Sequence, residues 1–211
     1  RVMATGKILF AGYRGEDKSW ITGDFLYIFV GQGIGCAIAH NNELLRGAVF
    51  GAGELGHTTV ALNGPECRCG KRGCLEAIAG EYAITGKMAE LIRGKGAPIL
   101  RRLAKNPEKP KISEILAAFE NHDKDVEPAL FECIEYLAVG AANVINLFNP
   151  KLVVFNGQLF TNKRLCGEME EKINSHTFSL MRSETSFIFE QYNEDFCAIS
   201  GAAAAIKRFL F

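Results

Sequence analysis

The longest regular apolar pattern in the chain runs from Val126 to Phe148. Leu130, Ile134, Leu137, Ala141, Val144, Ile145 and Phe148 recur every three or four residues, which predicts a helix with one buried stripe. Asp125 is placed to cap its start, Pro128 falls in the first turn where a missing N–H is harmless, and Asn149-Pro150 stops it. Gly140-Ala141-Ala142 in its middle predicts a close backbone approach by a neighbour. A different pattern covers Phe25 to Val30, where apolar, aromatic and β-branched residues run without a polar break and predict a strand buried on both faces. Gly31-Gln32-Gly33-Ile34-Gly35 follows as a tight glycine turn. Residues 36–40 and 43–46 then continue as strands around the turn dipeptide Asn41-Asn42, which makes a three-stranded antiparallel meander. Further helices are predicted over 2–13, 75–79, 87–93 (with Gly80 and Gly86 as interruptions), 112–120, 165–175 and 198–210, the last with a small-residue face at Gly201–Ala205. Strands are predicted at 152–155 and 186–189, and the Pro- and Lys-rich segment 105–111 is a surface connection.

The resulting order is helix, three-stranded meander, insert, helices, then strand, helix, strand, helix. Three antiparallel strands followed by a helix-separated parallel pair predict an α/β fold of the ribonuclease-H-like kind, the lobe used by actin-like ATPases and sugar kinases. The 211 residues carry 24 basic and 24 acidic side chains. A zero balance lacks the electrostatic footprint of a nucleic-acid-binding domain or of a surface built for anionic membranes. There is no run of about 18 apolar residues, so no membrane span is expected. The chain opens on Arg1-Val2-Met3 with no basic-then-apolar leader after it, and reads as part of a longer protein.

Seven cysteines divide into two groups. Cys36, Cys133, Cys166 and Cys197 stand singly among apolar residues and read as small buried hydrophobes. Cys67, Cys69 and Cys74 crowd together, with His57 ten residues ahead of the first. One imidazole and three thiolates form a closed tetrahedral set for zinc. Pro65, Gly70 and Gly73 let the backbone fold back on itself, and Arg68, Lys71 and Arg72 keep the exterior polar. Four protein ligands leave no open position, so the expected metal is structural, in a zinc-knuckle insert over about 57–74; three spare thiols in a loop are the bland alternative. The odd count and the absence of a disulfide framework fit a reducing, cytoplasmic setting. The glycine-rich stretch 47–56 reads as a loop that approaches a ligand closely. Trp20 reads as a packing anchor, and His40, His122 and His176, without ligand-spaced partners, as surface or strand-end histidines.

From Val30 to Glu76 the residues resemble the core of the ROK family of bacterial sugar-responsive repressors and sugar kinases. Gly53-Glu54-Leu55-Gly56-His57 matches its G-E-x-G-H pattern, and Cys67 to Glu76 matches C-x-C-G-x-x-G-C-L-E. Phe148 to Gly157 and Gly201 to Ala205 resemble the family's later strand-turn and C-terminal helix, so the likeness covers most of the chain. The resemblance implies that His57, Cys67, Cys69 and Cys74 bind zinc and that Glu54, His57 and Glu76 line a sugar pocket. Carboxylates suit vicinal hydroxyls, and a metal-bound imidazole can donate through its other nitrogen. A solvated loop carboxylate for Glu54 and a first-turn helix carboxylate for Glu76 remain the ordinary readings. Gly31, Gly33 and Gly35 are a weak phosphate-binding signal, equally explained by a β-turn.

Two departures from the kinase members shape the expected function. The kinases' catalytic Asp would precede Arg1, so no catalytic residue is assigned here. Gln32 stands where they carry Thr, and Asn156-Gly157-Gln158 lacks their double glycine, which leaves ATP a doubtful ligand. The expectation is the effector-binding C-terminal lobe of a ROK transcriptional regulator. It would respond to a sugar or sugar phosphate, contact DNA only through an N-terminal domain outside this chain, and form a homo-oligomer such as a dimer. The alternative is part of an ATP-dependent sugar kinase acting on a hexose or N-acetylhexosamine.

Overall fold

The computed structural model describes residues 24–41 and 43–190. The helices expected over 2–13 and 198–210, Trp20 and Cys197 lie outside the described residues. Five strands form one sheet: β1 (Phe25–Val30), β2 (Ile34–His40), β3 (Glu43–Leu44), β4 (Leu152–Asn156) and β5 (Ser186–Glu190), in the order β3-β2-β1-β4-β5. β1 pairs antiparallel with β2 and parallel with β4, and β4 pairs parallel with β5. The mixed α/β sheet expected from the order of patterns is therefore present, with the meander on one side of β1 and the helix-separated pair on the other.

The unbroken apolar run of β1 follows from burial on both faces. Leu26, Ile28 and Val30 join Ile34, Cys36, Val153 and Phe155 in the main core, while Phe25 and Tyr27 join Ala37, Ala39, Leu152 and Val154 in a second one. The helices are α1 (Leu75–Ala79), α2 (Glu81–Arg93), α3 (Pro98–Leu103), α4 (Ile112–Glu120), α5 (Val126–Phe148), α6 (Lys163–His176) and α7 (Ser179–Arg182). α5 has the length and hydropathy to cross a bilayer. The fold uses it instead as a core helix, with Leu130, Ile134, Leu137, Ala141 and Ile145 buried in the main cluster. Gly140 provides the expected close approach: a Cβ there would lie 2.6 Å from Leu75 Cδ2, so the missing side chain lets α1 press onto α5.

Three local expectations need correction. α2 starts at Glu81 and runs through Gly86, because buried Ile84 and Met88 on either side outweigh a glycine penalty of about 1 kcal/mol. α3, with Pro98 in its first turn and Leu100 buried, was not anticipated; its pattern is too short to show periodicity. The start of α5 is held by Asp123 rather than Asp125. Asp123 Oδ1 accepts from the Asp125 and Val126 amides and its Oδ2 from those of Ile99 and Leu100, so one buried carboxylate caps two helices, while Asp125 accepts from Ala97.

Candidate functional site

The segment between β3 and α1 carries the cysteine cluster. A 3-10 turn at Leu55–His57 ends at the imidazole, and the chain then folds back through two glycines with left-handed backbone, Gly70 (φ +88°) and Gly73 (φ +69°). Gly73 admits no side chain, since a Cβ would fall 1.6 Å from the Ala61 carbonyl oxygen. Amide donation from Cys67 to Lys71 O (2.7 Å), from Gly70 to Cys67 O (2.9 Å) and from Gly73 to Pro65 O (2.8 Å) closes the knuckle. The result brings together all four of the residues expected to bind a metal. Their ligand atoms lie within 4.8 Å of one another, with 3.7 Å between Cys67 Sγ and His57 Nδ1 and 3.6 Å between Cys69 Sγ and Cys74 Sγ. A tetrahedron with metal–sulfur bonds of about 2.3 Å has edges of about 3.8 Å, close to these two separations, so the four residues could hold a metal ion.

Burial and the neighbouring sulfurs push the Cys74 thiol up to about 12, whereas the Lys71 amide beside Cys69 draws its thiol down. The lone cysteines are raised by burial as well, Cys36 to about 12 and Cys133 and Cys166 to about 11, as expected of neutral packing thiols.

The three residues expected to face a sugar come from two adjoining segments. Glu54 is exposed and immediately precedes the 3-10 turn; His57 ends it. The Leu75 amide donates to Thr58 O (3.0 Å), which joins the end of that turn to the start of α1, the helix that carries Glu76. Glu76 is buried for a carboxylate. Its Oε2 accepts from the Ile34 amide (3.0 Å), and its Oε1 lies 3.6 Å from the Arg68 guanidinium.

The glycines of 31–35 and 47–56 have structural employment. A Cβ on Gly33 would come within 2.7 Å of Glu76 Oε2, and one on Gly31 within 2.6 Å of the Phe29 ring. Gly35 has open space about it and lies inside β2. Gly53 and Gly56 abut the Cys36 and Ile34 carbonyl oxygens, so what that loop approaches closely is β2.

The glycine turn leaves the C-terminal end of β1, beside the C-terminal end of its parallel neighbour β4. From these two ends the chain goes to neighbours in opposite directions along the sheet, β1 to β2 and β4 to β5. Two features there were not anticipated. The Gln32 amide donates to Glu81 Oε2 (3.2 Å), and burial raises the Glu81 carboxyl above its ordinary range. Asn156, at the end of β4, is buried with its Oδ1 unpartnered. Glu81 could have been suspected as a carboxylate in the first turn of a helix next to a glycine; nothing in the sequence pairs it with Gln32. The surface histidines stand as expected, His40 beside Asp24, His122 beside Glu127 and His176 beside Glu135.

Comparison with known proteins adds a lineage. Residues 15–208 match the ROK family. The chain is 34% identical over 161 residues to a xylose repressor from Caldicellulosiruptor bescii, covering 74% of this chain and 39% of the repressor. It is 30% identical over 203 residues to a glucokinase from Thermotoga maritima, covering 96% and 62%. Among solved structures, a ROK family transcriptional regulator described as a homolog of the Escherichia coli MLC protein superposes with a TM-score of 0.82 at 25% identity, over 96% of this chain and 49% of that one. The chain thus spans only part of the length of each of these relatives.

Proposed function

The chain belongs to the ROK family, and from that footing we propose that it is the sugar-responsive, effector-binding C-terminal lobe of a transcriptional regulator rather than part of a kinase. The observation that carries the choice is the clasp between Gln32 and Glu81. A kinase needs the glycine turn beyond β1 to accept phosphate. Here a buried carboxylate at 3.2 Å from the Gln32 amide puts negative charge at that turn and engages the side chain that replaces the kinase threonine. Like charge repels phosphate, and one of the two Gln32 amide N–H donors is already committed to Glu81. ATP is therefore not a ligand in this reading.

Zinc is the metal we assign to His57, Cys67, Cys69 and Cys74, on the donor set and the tetrahedral spacing. Its contribution when bound is to neutralise the thiolates and hold the knuckle closed. Glu54 and Glu76 accept hydrogen bonds from sugar hydroxyls, and His57 donates from the ring nitrogen that does not face Cys67. In this reading Gly31, Gly33 and Gly35 hold no phosphate: Gly31 makes room for the Phe29 ring, Gly33 for the Glu76 carboxylate, and Gly35 is part of β2. A sugar or sugar phosphate that binds one arrangement of the protein better than another shifts the population toward it, and a DNA-reading segment outside this chain would respond through that linkage. A cytoplasmic homo-oligomer is the setting in which such a regulator works.

The second reading, an ATP-dependent sugar kinase, is favoured by the Thermotoga maritima glucokinase match across nearly the whole chain. A coupled ADP-release assay on the full-length protein, with D-xylose, D-glucose and N-acetyl-D-glucosamine as the panel, separates the two. Saturable sugar binding by calorimetry, lost in Glu76→Gln, without ADP release is the expected result. Robust turnover with any of these sugars would replace the regulator reading with the kinase one.

A further inference from the structure

Arg68 lies in the chain between two of the proposed metal ligands, Cys67 and Cys69. It leaves the knuckle and lies over the Tyr82 ring, with its guanidinium carbon 4.1 Å from the ring centroid. From there Nη2 reaches the Gln32 carbonyl oxygen at 3.4 Å and Glu76 Oε1 at 3.6 Å. The other oxygen of Glu76 is held by the Ile34 amide and rests against the bare Cα of Gly33. Three separate segments therefore meet on the guanidinium that the knuckle supplies: α1 through Glu76, the first turn of α2 through Tyr82 and the glycine turn beyond β1 through Gln32.

We propose that Arg68 is a positioning residue through which the knuckle sets the orientation of the Glu76 carboxylate and the glycine turn beneath it. Among the described residues, Arg68 is the one cation paired with this nearly buried carboxylate. The root of its side chain is fixed by the hydrogen bonds that close the knuckle around Cys67. Its plane is fixed by the Tyr82 face, through the attraction of a guanidinium for an aromatic ring. One guanidinium nitrogen, Nη2, serves both Oε1 and the Gln32 carbonyl while the rest of the group lies over Tyr82. A lysine ammonium could reach the same oxygens but would lose the guanidinium's stacking on the ring that holds it in place. The importance of this for sugar binding rests on the function proposed above; the positioning itself does not.

The test uses the purified 211-residue chain saturated with zinc, with Arg68→Met as the main variant because Met keeps the apolar stem over Tyr82, and Arg68→Lys as the second. Three quantities are read: metal per chain by elemental analysis, amide exchange at residues 33–36, and exchange in α5 as a remote control. Arg68 is 64% exposed along its side chain, so the pair is partly screened. The expected result is exchange about two- to fivefold faster at Ile34 in Arg68→Met, with metal content and α5 unchanged, and at most partial recovery in Arg68→Lys. Wild-type exchange at Ile34 in Arg68→Met overturns the proposal. So does faster exchange accompanied by loss of metal or by faster exchange in α5, because Arg68 would then be acting on the knuckle or on the fold as a whole. No sugar enters the measurement, so a failure to bind any sugar would sink the functional reading and leave this result standing.

Discussion

Replacing Gly33 with alanine probes the contact on which the candidate site rests. The position has no left-handed backbone to defend, so alanine meets only one obstacle, Glu76 Oε2 at 2.7 Å from the new Cβ. The carboxylate must retreat by at least about 0.5 Å, which would stretch its 3.0 Å bond from the Ile34 amide to about 3.5 Å, the outer limit of a hydrogen bond. A bond to a charged group contributes about 1.5–3 kcal/mol, and Ile34 is buried, so its amide would find no water in exchange. Gly33→Ala should therefore destabilise the chain by about 2 kcal/mol. In a Glu76→Ala background the obstacle and the bond are already gone. There the same substitution should be neutral or stabilising by about 0.4–1 kcal/mol, because alanine restricts the unfolded chain. Urea unfolding of the two single variants and the double variant, followed by far-ultraviolet circular dichroism, gives a coupling energy of about 2–3 kcal/mol if the contact is as described. An equal cost of Gly33→Ala in both backgrounds would refute it, since the penalty would then belong to the backbone and not to Glu76.

Other perturbations address the rest of the site and its frame. Cys69→Ser removes one of the four proposed ligands and should weaken zinc retention against a chromogenic chelator by more than the ~10–100-fold typical of losing an outer partner; unchanged retention would remove Cys69 from the set. Asp123→Ala leaves four backbone amides without their acceptor, two of them on the fully buried Leu100 and Val126, and should cost about 3–4 kcal/mol in urea unfolding, with Asp123→Asn losing roughly half as much. Burial raises the Glu81 carboxyl, so its stabilising contribution is present below the ordinary glutamate range of about 4.3 and fades as pH climbs through the folded value. Wild type measured against Glu81→Gln should therefore lose relative stability from about pH 4 upward and level off above the folded value; a flat difference across that window would contradict the burial assigned to Glu81.

The sheet was legible because its strands announce themselves by composition. The run from Phe25 to Val30 can only be buried on both sides, and the period of α5 spans more than six turns. The clustering of His57 with Cys67, Cys69 and Cys74 was legible because three thiols and a histidine at ligand spacing have few other uses. α3 was missed because six residues cannot display a helical period, and the break expected at Gly86 was drawn from local propensity, which packing by Ile84 and Met88 overrides. Asp123 was passed over for Asp125 because both sit ahead of α5, and only the fold brings the start of α3 within reach of one of them. Gln32 and Glu81 are 49 residues apart, as Gly33 and Glu76 are 43, and such long-range pairs leave no trace in spacing.

These long-range pairs decide where Glu76 points. It sits on a helix of five residues, too short to hold a conformation through its own hydrogen bonds. α1 stands because its neighbours hold it. Cys74 of the knuckle precedes it, Leu75 is seated over the bare Cα of Gly140, and the Gly80 backbone turns directly into α2. A carboxylate supported in this way is sensitive to each of those neighbours, and anything that binds it must act back on them by the same free energy. In a kinase the glycine turn would also have to serve a phosphate. Here Gln32 and Glu81 engage each other across that turn, leaving it to respond to Glu76. On the regulator function proposed above, a ligand at Glu76 would find a connected route into β2 through the Ile34 amide and, through Arg68, into the knuckle, the glycine turn and α2.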